Sequence, residues 1–348
     1  MSPLFELPPN FETILEKRLQ ALNHSLYDPK KLADSVRKLS NLFIKGIASE
    51  KYWDNKDFRA AYIGYFAVLN FLRARSVFRE AQHRRFLKDA KNVVDWGCGA
   101  GSATWGLYAE FPEAKELHFS GIDQSAAALD EYKNWLDFFE LNAKTFHQPL
   151  SKFEAVKGDT IIFSYVLNEV RVWPQIPEYV KRIIVIEPST HQAGRELLWW
   201  RDQQIEQGWH AWAPCTHEKP CPLIAHSGKD WCHHRIHWIK PHWFLELEKH
   251  LPMKNDTLTL SYLLLAREPA PKNLMGMTRV VGDEQEEKGK TRQLICRGAS
   301  REFLSWLHRD QISLKLKRGD LLRVGDVEPR GSNELRVIIP EVIEKIKE

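Results

Sequence analysis

The sequence predicts an α/β fold on a mostly parallel, doubly wound sheet, with a helical region before it and a small β module after it. Three observations predict this. Apolar residues recur at three and four spacing through residues 11–90, the helical period. From residue 92, buried strand-like runs alternate with helical ones, which implies βαβ units. From about residue 276, short strand-like runs alternate with glycine turns.

The helical region is carried by "FETILEKRLQALN", "KKLADSVRKLSNLFIKGI" and the longer "FRAAYIGYFAVLNFLRARSVFREAQHRRFL", which has room for one break. Its second half holds Arg73, Arg75, Arg79, Arg84 and Arg85, read as a solvated face with an RNA-facing surface as the sharper alternative. "NVVDWGCGAGSATWGLYAEFP" then reads as strand, glycine turn and helix, and "ELHFSGIDQSAAALDEYKNWL" repeats the unit. "TIIFSYVLNEV" and "RIIVIEPST" supply a third and fourth strand, and "LTLSYLLLAREP" a late strand able to complete the sheet. The long segment before that late strand is crowded with Pro, Gly, His and Trp and has poor periodicity. Something besides an ordinary core must order it. The expected domains are a helical region 1–90, a sheet domain 91–275 with a cysteine-rich insertion 209–238, and a mainly β module 276–348 contributing Cys296.

With 348 residues, 43% of them hydrophobic, the chain can bury one sizeable core and smaller modules. It has no run of 18 apolar residues, so no membrane partner is expected. "MSPLFELPPNFETILEKRLQ" reads as neither a secretory nor a mitochondrial leader, and a cytoplasmic location follows by default. A net charge of +4 permits nucleic-acid contact without arguing for it. Five cysteines are too few to staple a chain of this length with disulfides.

The strongest local motif is "VVDWGCGAG". Asp95 ends the strand, and Gly97, Gly99 and Gly101 follow at alternate positions. Glycine turns tightly and lets a ligand approach the backbone. The next helix offers unpaired N–H groups at the crevice beyond the strand ends. Ser102 stands where a dinucleotide fingerprint has Gly or Ala. An acidic residue followed by G-x-G-x-G instead resembles the first motif of class I methyltransferases. That resemblance implies S-adenosylmethionine, its methionine part passing the glycine turn near Asp95. It also implies that Asp123 accepts from both ribose hydroxyls, with Gln124 and Ser125 near the adenosine. By itself Asp123 also reads as a helix cap. Asn168 and Glu169 are placed at the mouth of the same crevice, to meet the methionine end or a substrate, or to cap a helix. No "NPPY" is present after that strand, which argues against ordinary adenine or amide-nitrogen methylation. No catalytic base stands out.

Cys215, Cys221 and Cys232 are spaced C-x5-C-x10-C, and Cys296 lies far along the chain. Four thiolates suit zinc or an iron–sulfur cluster. The wide spacing leans toward [4Fe–4S]. His217, His226, His233 and His234 leave Cys3His zinc open, and unligated core cysteines are the plainer alternative. Cys98 is expected to pack behind the glycine loop.

"VVDWGCGAGSATW", "SYVLNEV", "IEPSTHQAG", "PCTHEKPCPL", "DWCHHRIHW" and "CRG" together resemble the methyltransferase-like small-ribosomal-subunit proteins, whose mitochondrial members assist small-subunit assembly. The resemblance covers roughly residues 35–330. It implies a class I methyltransferase domain, with Cys215, Cys221, Cys232 and Cys296 holding a [4Fe–4S] cluster. It also implies association with the small ribosomal subunit or its rRNA. The expected function is therefore an S-adenosylmethionine-binding, iron–sulfur-containing rRNA methyltransferase, acting as a monomer. The alternative is a non-catalytic RNA-binding assembly factor whose cofactor and cluster are structural. A radical S-adenosylmethionine enzyme is disfavoured, because four cysteines saturate a cluster. Arg292, Arg297, Lys315, Lys317, Arg318 and Arg323 offer an RNA surface on the terminal module, weighed against a plain solvated one.

Overall fold

The computed structural model describes residues 4–46, 50–151, 157–170, 173–271 and 276–346. The module boundary expected after residue 275 touches 272–275, outside the described residues, as do the chain ends. The chain divides into two compact units. One comprises Met1–Arg79, Asp89–Val166 and Ile236–Leu258, the other Glu80–Lys88, Leu167–Arg235 and Thr259–Glu348.

Helices open the first unit because their apolar residues share a face, and two of their starts are capped by side chains. In α1 (Phe11–Ala21), Phe11, Leu15 and Leu19 are buried. In α2 (Pro29–Ile44), Asp28 accepts from the Lys31 amide, Pro29 pre-sets the first turn, and Leu32, Val36 and Leu39 are buried. Asn55 caps α3 (Lys56–Ala61) by accepting from the Asp57 and Phe58 amides. The room for a break is used by a π-helical turn, Tyr62–Phe66, before α4 (Ala67–His83).

The first unit's sheet comes next. It contains β1 (Asn92–Trp96), α5 (Ser102–Glu110), β2 (His118–Asp123), α6 (Ala126–Phe139), β3 (Ala143–His147) and β4 (Thr160–Ser164). These strands are parallel in the order 3-2-1-4, with Asp95 level with Gly121 and with Ile162. Asp95 thus lies inside β1, one residue short of its end. β3 was not anticipated, because its residues alternate between half-buried and exposed and carry no continuous apolar run.

In the second unit, β5 (Arg182–Glu187), α7 (His191–Glu206), β6 (His210–Ala213) and β7 (Thr257–Ala266) appear in turn, with α8 (His242–Lys249) preceding β7 and packing in the first unit on α2. β7 is antiparallel to both β5 and β6, giving the order 5-7-6. The orders 3-2-1-4 and 5-7-6, with a reversed seventh strand, are those of a class I methyltransferase domain rather than an all-parallel dinucleotide-binding sheet.

The terminal strands are β8 (Thr278–Glu287), β9 (Lys290–Cys296), β10 (Glu302–Leu307), β11 (Leu321–Val324), β12 (Glu328–Arg330), β13 (Glu334–Arg336) and β14 (Ile343–Ile346). β8, β9 and β10 form an antiparallel meander, β10 pairs parallel with β13, and β8 pairs antiparallel with β11. This is the Greek-key connectivity of an OB barrel, with β14 taking the outer edge of β11. β8 bends at a register shift between Val280 and Glu284, where a Cβ on Gly282 would stand 2.6 Å from Leu294. Val280, Ile295, Leu304, Trp306 and Leu322 fill its inside. Val281, Leu294 and Phe303, from the other face, pack on Leu198, Cys221 and Leu223.

A buried carboxylate ties these parts of the second unit together. Arg279 of β8 donates to Glu80 Oε1 at 2.6 Å, Arg84 pairs with the same oxygen at 2.7 Å, and Tyr262 of β7 donates to Oε2. Arg279 also donates to the carbonyls of Pro214 and Gly319. The two guanidinium charges hold the Glu80 carboxyl far below its usual range against the opposing effect of burial. Replacing Glu80 by Ala leaves two buried guanidinium groups uncompensated. It should cost about 3 kcal/mol, read as a lowered midpoint of chemical unfolding, and should release Cys296 from its neighbours.

Candidate cofactor and cysteine sites

After β1 the chain reverses through Gly97, Gly99 and Gly101 at φ of +72°, +51° and +92°, conformations that side-chain-bearing residues rarely adopt. A Cβ on Gly97 would stand 2.4 Å from Val166, and one on Gly101 2.6 Å from Tyr132. The amides of Gly97 and Cys98 both donate to the Ile122 carbonyl, at 2.8 and 2.9 Å. The turn is therefore fixed onto the end of β2.

Asp123, at that end, is nearly buried. Its carboxylate accepts from the Gly99 amide at 2.9 Å and the Ser125 amide at 2.8 Å. Burial pushes its carboxyl up, while these amides oppose the shift. Ser125, not Asp123, caps α6 through its side chain. Two amides leave part of the carboxylate's capacity of about four acceptor sites for further donors.

Asp95 is 1% exposed. Its Oδ2 accepts from Thr104 Oγ1 at 2.7 Å, and Thr104 in turn lies 3.0 Å from the Tyr132 hydroxyl. Its Oδ1 is buried with no hydrogen-bond partner among the described residues. Burial raises the Asp95 carboxyl to about 6, with the Asp123 charge adding to it. A buried, half-satisfied carboxylate suits an ammonium or hydroxyl donor from a ligand.

The other expected site residues differ in setting. Gln124 is exposed, and its carbonyl lies 3.0 Å from His147 Nε2. Asn168 and Glu169 are exposed on the short helical turn Leu167–Val170 of the second unit. Cys98 is buried, and burial together with Asp123 and Asp95 pushes its thiol up. That is the inert, packed cysteine the sequence suggests. Sequence reading missed Thr104 and Tyr132, which hold Asp95, and the aromatic pair Trp53 and Tyr62. A Cβ on Gly99 would stand 3.3 Å from Trp53 and 3.4 Å from the Tyr62 hydroxyl. The available signal was the aromatic density of "YWDN" and "YIGYF".

In the second unit the chain brings the four distant cysteines to one place. Burial is the largest effect on three of them. It raises Cys221 to about 11, with Cys215 adding to it, and Cys232 to about 12, with Cys215 and Cys221 adding. It pushes Cys296 well up, with Cys215, Cys221 and Cys232 adding. None is in a disulfide. Fully buried Arg201 donates to the His217 and Lys219 carbonyls and to Asp202, and its charge acts on Cys215 and Cys221. Asp202 accepts from the Cys221 amide at 3.0 Å. His217 Nε2 lies 3.3 Å from Cys296 Sγ. His226 instead faces the Ala299 carbonyl. Among the described residues no three His, Cys, Asp or Glu groups stand at the geometry of a single bound ion.

Many of the arginines read as a solvated or RNA-facing surface are engaged by carboxylates. Arg75 and Arg79 pair with Glu110, and Arg84 is buried on Glu80. On the terminal module, Arg292 pairs with Glu287, Arg297 with Glu302, Arg318 with Asp283 and Arg323 with Glu344. Arg85, Lys315 and Lys317 are exposed, and Arg323 and its partner are largely in solvent.

The raised Asp95 carboxyl sets a pH dependence. The folded state holds this proton more tightly than the unfolded chain, so stability is lost as pH rises from roughly 4 to 6 and the charge becomes buried. Asp95→Asn should therefore stabilise the ligand-free protein at pH 7.5 by about 3 kcal/mol, and by nothing near pH 4. Thermal unfolding across that range reads both limits.

The chain matches the family model described as mitochondrial small ribosomal subunit Rsm22 over residues 60–321. It is 21% identical over 240 residues to the human mitochondrial ribosome assembly protein METTL17, covering 61% of this chain and 52% of that one. It is 28% identical over 125 residues to carboxy-S-adenosyl-L-methionine synthase of Campylobacter lari, covering 34% of this chain and 52% of that one. The chain thus spans about half the length of these curated relatives. Among solved structures, an rRNA methylase from Escherichia coli is similar at a TM-score of 0.31 and 11% identity, over 68% of this chain and 76% of that one. Because the family match takes in the glycine turn, both buried carboxylates and all four clustered cysteines, the chain belongs to the Rsm22 family of methyltransferase-like small-ribosomal-subunit proteins.

Proposed function

We propose that the protein binds S-adenosylmethionine at the glycine turn, carries a [4Fe–4S] cluster on Cys215, Cys221, Cys232 and Cys296, and methylates rRNA on or with the small ribosomal subunit. The observation that carries this is the turn itself, bonded through the Gly99 amide to Asp123 and lying beside the buried, half-satisfied Asp95. Asp95 is suited to the methionine end and Asp123 to the ribose. Gln124, Asn168 and Glu169 are carried as exposed residues for the rest of the ligand or the substrate. The bound sulfonium supplies an activated methyl group. The protein's part is then alignment of donor and acceptor, which accounts for much of such a rate enhancement.

The donor set fits a cluster. Four thiols lie within electrostatic reach of one another, free of disulfides and near the buried Arg201 and Arg279 and the part-buried Arg318. Cluster cages are wider than single-ion sites, and the neighbouring cations offset thiolate charge. His226 faces a carbonyl, whereas His217 Nε2 stands beside Cys296 Sγ, so Cys3His zinc is the competing reading that metal analysis separates. The domain reading follows from the cysteine set. Beside a helical region and a sheet domain, Cys296 would join the mainly β terminal module to the cysteine-rich insertion. The cytoplasmic location read from the sequence belongs to the same proposal, beside a family and a human relative both described as mitochondrial. No helix among the described residues is long and apolar enough to cross a membrane.

The human relative's name favours a second reading, an assembly factor that holds its cofactor without turnover. Incubation with methyl-labelled S-adenosylmethionine and immature small subunits separates the two. Label in small-subunit rRNA, lost by at least about a hundredfold in Asp123→Ala, is the expected result. Bound cofactor, stable association with the subunit and no transferred label would establish the second reading instead.

A further inference from the structure

We propose that Trp53 and Tyr62 form an aromatic wall of the cofactor site and make it select the sulfonium form of its ligand over the thioether. The proposal rests on the S-adenosylmethionine reading above and adds a specificity to it.

Four features carry it. First, the Trp53 ring edge and the Tyr62 hydroxyl close on Gly99, the glycine whose amide is bonded to Asp123. Residues packed on that turn border the part of the site assigned to the methionine end, which carries the sulfonium. Second, Tyr62 opens the π-helical turn Tyr62–Phe66. A π turn inserts a residue into the helical ladder and rotates the preceding helix by roughly 100° relative to the succeeding one. Such turns are rare and frequently mark functional positions. Gly64 makes this one fit, since its Cα side lies against Leu32 and Leu19, where a Cβ would find contacts of 3.3 and 3.4 Å.

Third, the wall is rigid. The Trp53 and Tyr62 rings are 4.6 Å apart, and Tyr52 stacks within 5.2 Å of Trp53 and 6.0 Å of Tyr62. Phe43 and Phe66 brace the group from behind. Fourth, the turn is flanked by buried acid groups: its Gly99 amide donates to Asp123, and Asp95 lies in the strand that leads into it. Two carboxylates and a cluster of aromatic rings make a setting that favours a cation, and the attraction of a cation to a ring face grows when water is excluded.

Methyl transfer removes that cation. The acceptor's lone pair takes the methyl carbon, and the C–S bonding pair returns to sulfur, leaving a neutral thioether. A site that prefers the sulfonium therefore holds the donor and releases the product.

The test is calorimetric titration of the full chain with S-adenosylmethionine and, separately, S-adenosylhomocysteine. Wild-type protein should bind the sulfonium ligand more tightly. Trp53→Leu and Tyr62→Leu should each weaken it by about tenfold while weakening the thioether much less, so that the preference shrinks. Trp53→Phe keeps a ring and should retain most of the preference. It also decides the matter if the Leu variants fail to fold, because the small loss it does cause should fall on the sulfonium ligand and leave the thioether unchanged. Equal losses for both ligands, or none, would overturn the proposal and leave the pair as packing. Wild-type protein that binds neither ligand would overturn the cofactor reading together with it.

Discussion

The Glu80 carboxylate is the point on which the second unit depends. It is out of water, so its charge must be met, and it is met by Arg279, Arg84 and the Tyr262 hydroxyl. These come from a β-barrel strand, a helix end and a sheet strand. The same Arg279 reaches the Pro214 carbonyl next to Cys215. Arg279 and Cys296 face each other in register across β8 and β9. One buried ion cluster thus fixes both Cys215 and the strand pair that delivers Cys296. Breaking a buried pair costs far more than it gains over an apolar equivalent. This makes the cluster a device for registering the barrel on the sheet rather than a source of stability.

The barrel's role changes in that light. OB barrels commonly bind nucleic acid on the outer face of their second and third strands. Here Leu294 and Phe303 of that face pack against Leu198 and Leu223, beside Cys221. The face is spent inside the unit on ordering a proline-rich loop that has little core of its own. The arginines around it are held by carboxylates. RNA contact through this module would therefore be made by its remaining loops and edges, with a weaker salt dependence than the sequence's basic residues suggest.

Much of this was legible before the structure. Period-two and 3.6 patterns located β1, β2, β4, β5 and β7, because each is apolar and buried over most of its length. The glycine turn was legible because three positive-φ positions demand glycine. β3 and β6 were not, since one is only half-buried and the other lies within the aperiodic His and Trp segment. The four cysteines could be grouped by number and by exclusion of disulfides, but their meeting depends on the Glu80 network, whose members lie up to 199 residues apart. The aromatic wall was hidden for a related reason. Trp53 and Tyr62 look like ordinary core positions until a π turn and a bend of the chain set them on Gly99. The pairing of the arginines was not legible, because sequence counts charges without showing which carboxylates face them.

The role given to the Glu80 network, gathering four cysteines, is tested by whether they hold an iron–sulfur cluster. Iron, acid-labile sulfide and zinc, measured on protein purified without oxygen together with its visible spectrum, decide this most directly. A [4Fe–4S] cluster should give about four irons and four sulfides per chain with broad absorption near ~400 nm. One zinc and no sulfide, or no metal at all, would contradict it.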